Sequence, residues 1–129
     1  MRLENWEKKL NEHLDTIEPF KWGTNDCCMF AVRCVEVMTG IDYGKKFRGY
    51  KTSLGAQKHL DKYGGVEGIA TECLGESKNP KLAKRGDVIS HENDDAIALG
   101  ICVGSKIAAI GKDGVVFLPM KNAIKAWSI

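Results

Sequence analysis

The sequence predicts an α+β fold in which helices come first and an antiparallel sheet follows. Apolar residues recur at helical spacing in the first part of the chain, and from Arg85 onward the pattern changes to short apolar segments. One helix is apolar nearly all round, which is typical of a helix packed inside a protein. We therefore expect one domain over residues 1–129, with N-terminal helices and a buried central helix packed on a C-terminal antiparallel sheet of about five strands.

The first helix is predicted from a stripe of apolar residues spaced by three or four: Leu3, Trp6, Leu10 and Leu14. A third helix is predicted over 52–63, with its start at Thr52 or Ser53 and the Gly64-Gly65 pair as its stop signal. A short fourth helix is predicted over 66–73. The stretch 75–84 contains Pro80 and is predicted to be a loop.

The second helix is the most informative element. Its apolar stripe comprises Cys27, Phe30, Ala31, Cys34, Val35 and Met38, and Met29, Val32 and Val37 lie on the other face. Only Arg33 and Glu36 require water, so the helix is expected to be buried. Thr24, Asn25 or Asp26 can cap its start, and Gly40 suits its end.

Five strands are predicted after residue 85. Their sequences are "GDVIS", "AIALGICVG", "KIAAIG", "GVVFLP" and "AIKAWSI". The residues Lys112-Asp113-Gly114 form a tight hairpin turn between the third and the fourth of these strands, which favours antiparallel pairing.

Composition excludes several classes of function. The net charge of +2 gives no reason to expect nucleic-acid binding. The longest apolar run, Ala96 to Gly104, is too short to cross a membrane, and the charged N-terminus is not a secretory signal. Five cysteines without a CxxC pair suit neither a disulfide framework nor a zinc site. We expect no metal, no cofactor and a cytoplasmic place of synthesis, with incorporation into a larger assembly left open.

Cys27 is the candidate nucleophile. A thiol in the first turn of a helix lies close to unpaired backbone amides, whose field favours the thiolate by about 0.3–1 kcal/mol. Cys28 is turned away from Cys27 by about a hundred degrees. A histidine on the sheet that pointed at this helix end would complete a Cys-His pair. The alternative is that Cys27 is a small apolar residue of the core, like the other free cysteines.

The stretch "PFKWGTNDCCMFAVRCV" resembles the motif of NlpC-like, papain-fold cysteine peptidases of the cell wall, where Trp-Gly precedes Asp-Cys at the start of a buried helix. The segments "RGDVI" and "LGICVG" are similar to the Gly-Asp strand of that family and to the strand after it. The stretch "TGIDYGKKFRGYKTSLGAQKHL" and the closing "AW" are similar to a compact branch found in bacteriophages near tail genes.

The resemblance implies a papain-like fold acting on peptidoglycan stem peptides, with Cys27 as nucleophile and Asp26 beside it. It also implies that Trp22, Gly23 and Arg48 border the substrate groove. Asp26 has a simpler interpretation as a helix cap, and Arg48 as part of an exposed turn. Trp22 and Gly23 have a simpler interpretation as residues that shape the approach to the helix. Other phage tail proteins are the partners that the resemblance suggests.

One departure from the family pattern divides the functional hypotheses. The active family carries its general-base histidine where this chain has Ala98, and "KIAAIG" lacks the polar residue that would orient the imidazole. His91 is the best substitute, although its simpler interpretation is a solvated loop residue. His13 is expected on the solvated face of the first helix, and His59 at the surface or at its boundary. The protein is thus either an endopeptidase or a degenerate structural or binding component of a phage tail. A general thiol-reactive or acyl-transfer protein is a third hypothesis.

Overall fold

A computed structural model describes residues 2–22, 25–26, 28–45, 52–93 and 96–129, with the side chains of Ser53, His59 and Asn93 excepted. The helices of these ranges are α1 (Trp6–Asp15), α2 (Met29–Thr39), α3 (Ser53–Tyr63) and α4 (Gly65–Leu74). The strands are β1 (Val88–Asn93), β2 (Ala96–Cys102), β3 (Lys106–Gly111), β4 (Gly114–Pro119) and β5 (Ala123–Trp127). Short 3₁₀ turns cover Pro80–Leu82 and Met120–Asn122. The predicted α+β class is confirmed.

The sheet is antiparallel throughout and has the strand order β4-β3-β2-β1-β5. Because successive side chains of a strand point to opposite faces, the sheet has two distinct apolar faces. The inner face packs on the helices and carries Val88, Leu99, Ile101, Ala108, Ile110 and Trp127. The outer face carries a smaller cluster made of Ile89, Cys102, Ile107 and Ala126.

Helix α2 is buried against the inner face, as the sequence predicts. Seven of its residues are buried: Met29, Phe30, Ala31, Val32, Cys34, Val35 and Met38. They belong to the same core cluster as the inner-face residues of the sheet. Gly40 ends the helix at φ +79°, a left-handed conformation that glycine adopts without steric cost. The helix that carries the candidate site is therefore held rigidly by the main core.

The remaining helices follow their predicted bounds closely. In α1 the side chain of Leu10 is buried, and Trp6 and Leu14 pack against the same core. The start of α3 is capped by Thr52, whose hydroxyl oxygen accepts a hydrogen bond from the amide of Gly55 at 3.1 Å. In α4, Thr71 accepts a hydrogen bond from the indole of Trp127 at 3.2 Å, which ties this helix to β5. No described helix is long and apolar enough to cross a membrane.

Candidate active site

Two described residues that precede α2, Lys21 and Asn25, are joined by backbone hydrogen bonds. The amide of Lys21 donates to the carbonyl of Asn25 at 3.2 Å, and the amide of Asn25 donates back to Lys21 at 2.8 Å. The Asn25 side chain is buried, and its Nδ2 donates to the carbonyl of Glu18. These bonds fix the position of Asn25. The sequence suggests Asn25 only as a cap, and the structure gives it this anchoring role instead.

Asp26 is the cap of α2. Its Oδ1 accepts hydrogen bonds from the amides of Cys28 at 3.0 Å and Met29 at 2.9 Å, and the residue is 1% exposed. A cap of this kind stabilises a helix by about 1 kcal/mol. The interpretation of Asp26 as a helix cap is confirmed. The Asp26 carboxylate thus occupies the backbone amides whose field would favour a thiolate. This helix end is therefore less favourable to a thiolate than a helix end without a carboxylate cap.

Three of the predicted site residues cannot be placed. Cys27, Gly23 and Arg48 lie outside the residues that the structure describes. The roles assigned to them therefore stay predictions.

Cys28, the neighbour of Cys27 in the sequence, is a core residue. It is 5% exposed and lines a small apolar cavity of about 30 Å³ between α2, α4 and the inner face of the sheet. Cys34 is fully buried, and burial raises the pKa of its thiol, which keeps it protonated. Cys102 is 1% exposed. The interpretation of Cys34 and Cys102 as small apolar residues is confirmed.

Trp22 is half-buried in the loop before α2. Its ring meets that of Phe20 edge-on, with centroids 4.8 Å apart and planes at 89°. Phe20 in turn packs against the main core. This contact gives Trp22 a fixed position close to the start of α2, where a groove residue would be needed.

His91 lies inside β1 and is 1% exposed, so the expectation of a solvated loop residue is wrong. The strand continues through it because β1 pairs with β2 as far as Asn93. In this register His91 faces Ala98 and shares the outer face with Ile89. The surroundings of Gly100 show the same placement of His91. A Cβ atom built on Gly100 would lie 3.4 Å from the His91 ring and 2.7 Å from Ile107, which belongs to the outer face.

The outer face is the one turned away from α2. Both His91 and Ala98 lie on it, and Ala98 is 4% exposed. The structure therefore pairs His91, the candidate base, with Ala98, the position that the resemblance assigns to a histidine. Both residues lie across the sheet from α2.

The surroundings of the His91 ring favour its neutral form. Nδ1 lies 3.1 Å from the carbonyl oxygen of Glu92, whereas Nε2 is buried and has no hydrogen-bond partner among the described residues. Burial lowers the pKa of His91, and the bond to Glu92 only partly opposes this effect. The two remaining histidines offer no clear substitute. His13 is half-buried on α1 rather than solvated, with a pKa lowered by burial and by Arg33, and the side chain of His59 is not described.

A polar cluster on the inner face was not anticipated from the sequence. The hydroxyl of Ser90 donates to Glu67 Oε2 at 2.8 Å and accepts from the amide of Lys125 at 3.1 Å. The pairing of β1 with β5 shifts register just after Ser90, which indicates a β-bulge there. Ser90 is completely buried, so these bonds tie α4 to both strands rather than presenting a nucleophile.

The lowered pKa of His91 predicts a loss of stability in mild acid. Well above pH 6.5, the ordinary pKa of histidine, the ring is neutral in both the folded and the unfolded state, and the stability is complete. As the pH falls below 6.5, the unfolded chain takes up the proton first, and the free energy of unfolding decreases by up to about 1.4 kcal/mol per pH unit until the folded-state pKa is reached.

Urea denaturation between pH 7.5 and 5 measures this dependence. His91→Leu should flatten the profile more than His13→Gln, which controls for the second histidine with a lowered pKa. A profile that His91→Leu leaves as steep as the wild type would contradict the prediction.

Comparison with known families gives one match. The family model described as "Domain of unknown function (DUF6950)" matches residues 1–129. No curated protein matches the chain. Among the described residues, no three His, Cys, Asp or Glu side chains come together as a group that could hold a metal ion.

Proposed function

The chain belongs to the DUF6950 family, and we propose that it is a catalytically degenerate, NlpC-like papain-fold protein that serves as a structural or binding component of a phage tail. The position of His91 carries this proposal. A Cys-His pair needs the imidazole within hydrogen-bond reach of the sulfur, directly or through one water. His91 is instead sealed among apolar side chains on the face of the sheet opposite α2.

The NlpC-like peptidases that the sequence resembles carry their general-base histidine where this chain has Ala98, and this difference supports the same proposal. General acid–base catalysis contributes about 10²–10⁴-fold to such reactions, and a helix-end thiol alone does not supply the proton transfers of amide hydrolysis. The buried carboxylate of Asp26 also reduces the advantage that the helix end offers to a thiolate. In this proposal the protein keeps the fold of the peptidase but lacks its general base.

Binding of a peptidoglycan stem peptide remains compatible with this proposal. Lys21 and Asn25 are joined by backbone hydrogen bonds, and the ring of Trp22 meets that of Phe20 edge-on. A rigid aromatic side chain beside a helix end is a suitable border for a peptide groove. The degenerate protein would then recognise the cell wall, or a neighbouring tail protein, without cutting it.

The second candidate function is a cell-wall cysteine endopeptidase with Cys27 as nucleophile. The capped helix start and the preceding Trp-Gly pair favour it, because they reproduce the segment that carries the nucleophile in the family that the sequence resembles. This function requires a general base from elsewhere, such as a partner protein.

Digestion of purified peptidoglycan separates the two functions. The wild-type protein and the Cys27→Ala variant are incubated with sacculi, and released stem peptides are measured by chromatography and mass spectrometry. We expect no release above the buffer control from either protein. Release by the wild type that Cys27→Ala abolishes, and that Cys73→Ala retains, would overturn the proposed function in favour of the endopeptidase.

Complementation tests the structural role directly. In the phage that encodes this chain, the protein should be found in purified particles, and deletion of its gene should reduce their infectivity. We expect Cys27→Ala to restore infectivity as well as the wild type does. Absence of the protein from the particles would contradict a role as a tail component.

A further inference from the structure

A pocket of about 390 Å³ lies where the N-terminal segment, the connection after α4 and the residues that follow β5 meet. It is lined by Arg2, Lys78, Lys84, Asp87, Ser128 and Ile129. Five of these six residues have charged or polar side chains, whereas the cavity between α2, α4 and the sheet is lined mainly by apolar ones. The chemistry of the lining therefore favours a charged ligand.

The pocket carries an excess of positive charge. Three cationic side chains and one carboxylate line it, which leaves two positive charges unbalanced. A main-chain carboxylate at Ile129, if counted as well, leaves one. In the same two segments the exposed cations Lys81 and Arg85 are balanced by the exposed carboxylates Glu4 and Glu76. Because a cleft with an excess of one charge concentrates ligands of the opposite sign, this pocket should attract an anion.

Asp87 orders two of the cations before any ligand binds. Its carboxylate lies 2.9 Å from Arg2 Nη2 and 2.8 Å from Lys78 Nζ. The Lys78 ammonium also donates to the hydroxyl oxygen of Ser128 at 2.7 Å, and the Arg2 guanidinium lies over the Trp6 ring. Side chains that are already held in position lose little conformational entropy when a ligand binds, and this increases the affinity.

These contacts leave hydrogen-bond donors for a ligand. A guanidinium group has five N–H donors, and an ammonium group has three. Arg2 uses one of them on Asp87, and Lys78 uses two, on Asp87 and Ser128. The ammonium group of Lys84 is exposed and forms no ion pair with another described residue. Three side chains that line one pocket thus keep donors that can bind an oxyanion.

We propose that this pocket binds a phosphate group through Arg2, Lys78 and Lys84. Three donor side chains match the three terminal oxygens of a phosphate monoester, whereas a carboxylate offers only two oxygens. The two unbalanced positive charges match the charge of a phosphate monoester, which is about −1.5 to −2 at pH 7. The pocket contains none of the residues of the candidate active site, so this proposal does not depend on the proposed function.

A ¹H–¹⁵N NMR titration of the full chain with inorganic phosphate, at pH 7.5 and constant ionic strength, tests this site. We expect saturable shifts at the amides around the pocket, such as those of Asp87 and Ser128. Lys84→Gln should lower the association constant about tenfold or more, because it removes a charged donor. Lys81→Gln is the matched control, since it removes the same charge from the same connection at an exposed position outside the pocket. Because salt screens exposed charges, this control should change the affinity by less than about twofold.

Glycerol 3-phosphate and acetate complete the test. Tighter binding of glycerol 3-phosphate than of inorganic phosphate would support a phosphate ester as the ligand, and equal or weaker binding would support free phosphate. Acetate that binds as tightly as phosphate would overturn the assignment to phosphate. Shifts that do not saturate would overturn the site itself. So would equal losses of affinity in Lys84→Gln and Lys81→Gln, because they would indicate a diffuse effect of charge.

Discussion

Replacement of Phe30 by alanine is expected to lower the free energy of unfolding by about 3–5 kcal/mol. Phe30 is 0% exposed in the first turn of α2 and belongs to the core cluster shared by the helices and the inner face of the sheet. The substitution removes the apolar surface of the ring and leaves a cavity that a helix packed on a sheet can fill only in part. Since small domains are stable by only about 5–15 kcal/mol, this loss is a large share of the total.

Urea denaturation at pH 7.5 measures this loss. Val37→Ala is the matched control, because Val37 belongs to the same helix but is only half-buried. Its effect should stay below about 1 kcal/mol. A Phe30→Ala protein within 1 kcal/mol of the wild type would show that α2 is not packed in the core as described.

Helix α2 also shows why this part of the fold follows from the sequence. Its burial depends on a local pattern, since a helix with apolar residues on nearly every side cannot be stable in water and must be covered. The end of the helix is equally local, because Gly40 supplies a left-handed residue at the point where the apolar stripe stops. The hairpin between β3 and β4 is encoded in the same way by Lys112-Asp113-Gly114.

The position of His91 depends on information that the sequence does not contain locally. The polar run after it, Glu92 to Asp95, suggests a loop, yet β1 continues because Glu92 and Asn93 find partners in β2. The face on which His91 lies is set by this register, and a shift of one residue would have placed it on the side of α2. The candidate site was therefore predictable as a capped helix start at Asp26, whereas its relation to any histidine was not.

Asp87 is a second feature that the sequence marks only as part of a Gly-Asp pair. In the structure it is 1% exposed and holds two cations from distant parts of the chain. Its Oδ1 lies 2.9 Å from Arg2 Nη2, and its Oδ2 lies 2.8 Å from Lys78 Nζ. Oδ2 also accepts from the amide of Lys84 at 2.9 Å. The carboxylate thus joins the N-terminal segment, the connection after α4 and the start of the sheet.

Asp87→Asn is expected to lower the free energy of unfolding by about 3 kcal/mol, the lower end for breaking a buried ion pair, because both cations keep about a quarter of their side-chain exposure. The asparagine side chain has no negative charge, and its NH₂ group cannot accept a hydrogen bond where a carboxylate oxygen did. Arg2 also loses the partner that holds its guanidinium over the Trp6 ring, 4.3 Å from the ring centroid. Thermal and urea unfolding at pH 7.5 measure the effect.

Removal of one cation should lower the free energy of unfolding less than removal of the Asp87 carboxylate. This difference distinguishes a buried carboxylate from a surface ion pair. Lys78→Met leaves Asp87 with Arg2 and the Lys84 amide, so its cost should be clearly smaller than that of Asp87→Asn. Asp113→Asn, in the exposed β3–β4 turn, controls for the loss of a negative charge and should change stability by no more than about 0.5 kcal/mol. If Asp87→Asn costs no more than Asp113→Asn, the carboxylate does not hold the N-terminal segment. The packing of Trp6 and Leu10 and the hydrogen bond from the Leu3 amide to the Met38 carbonyl would then hold it.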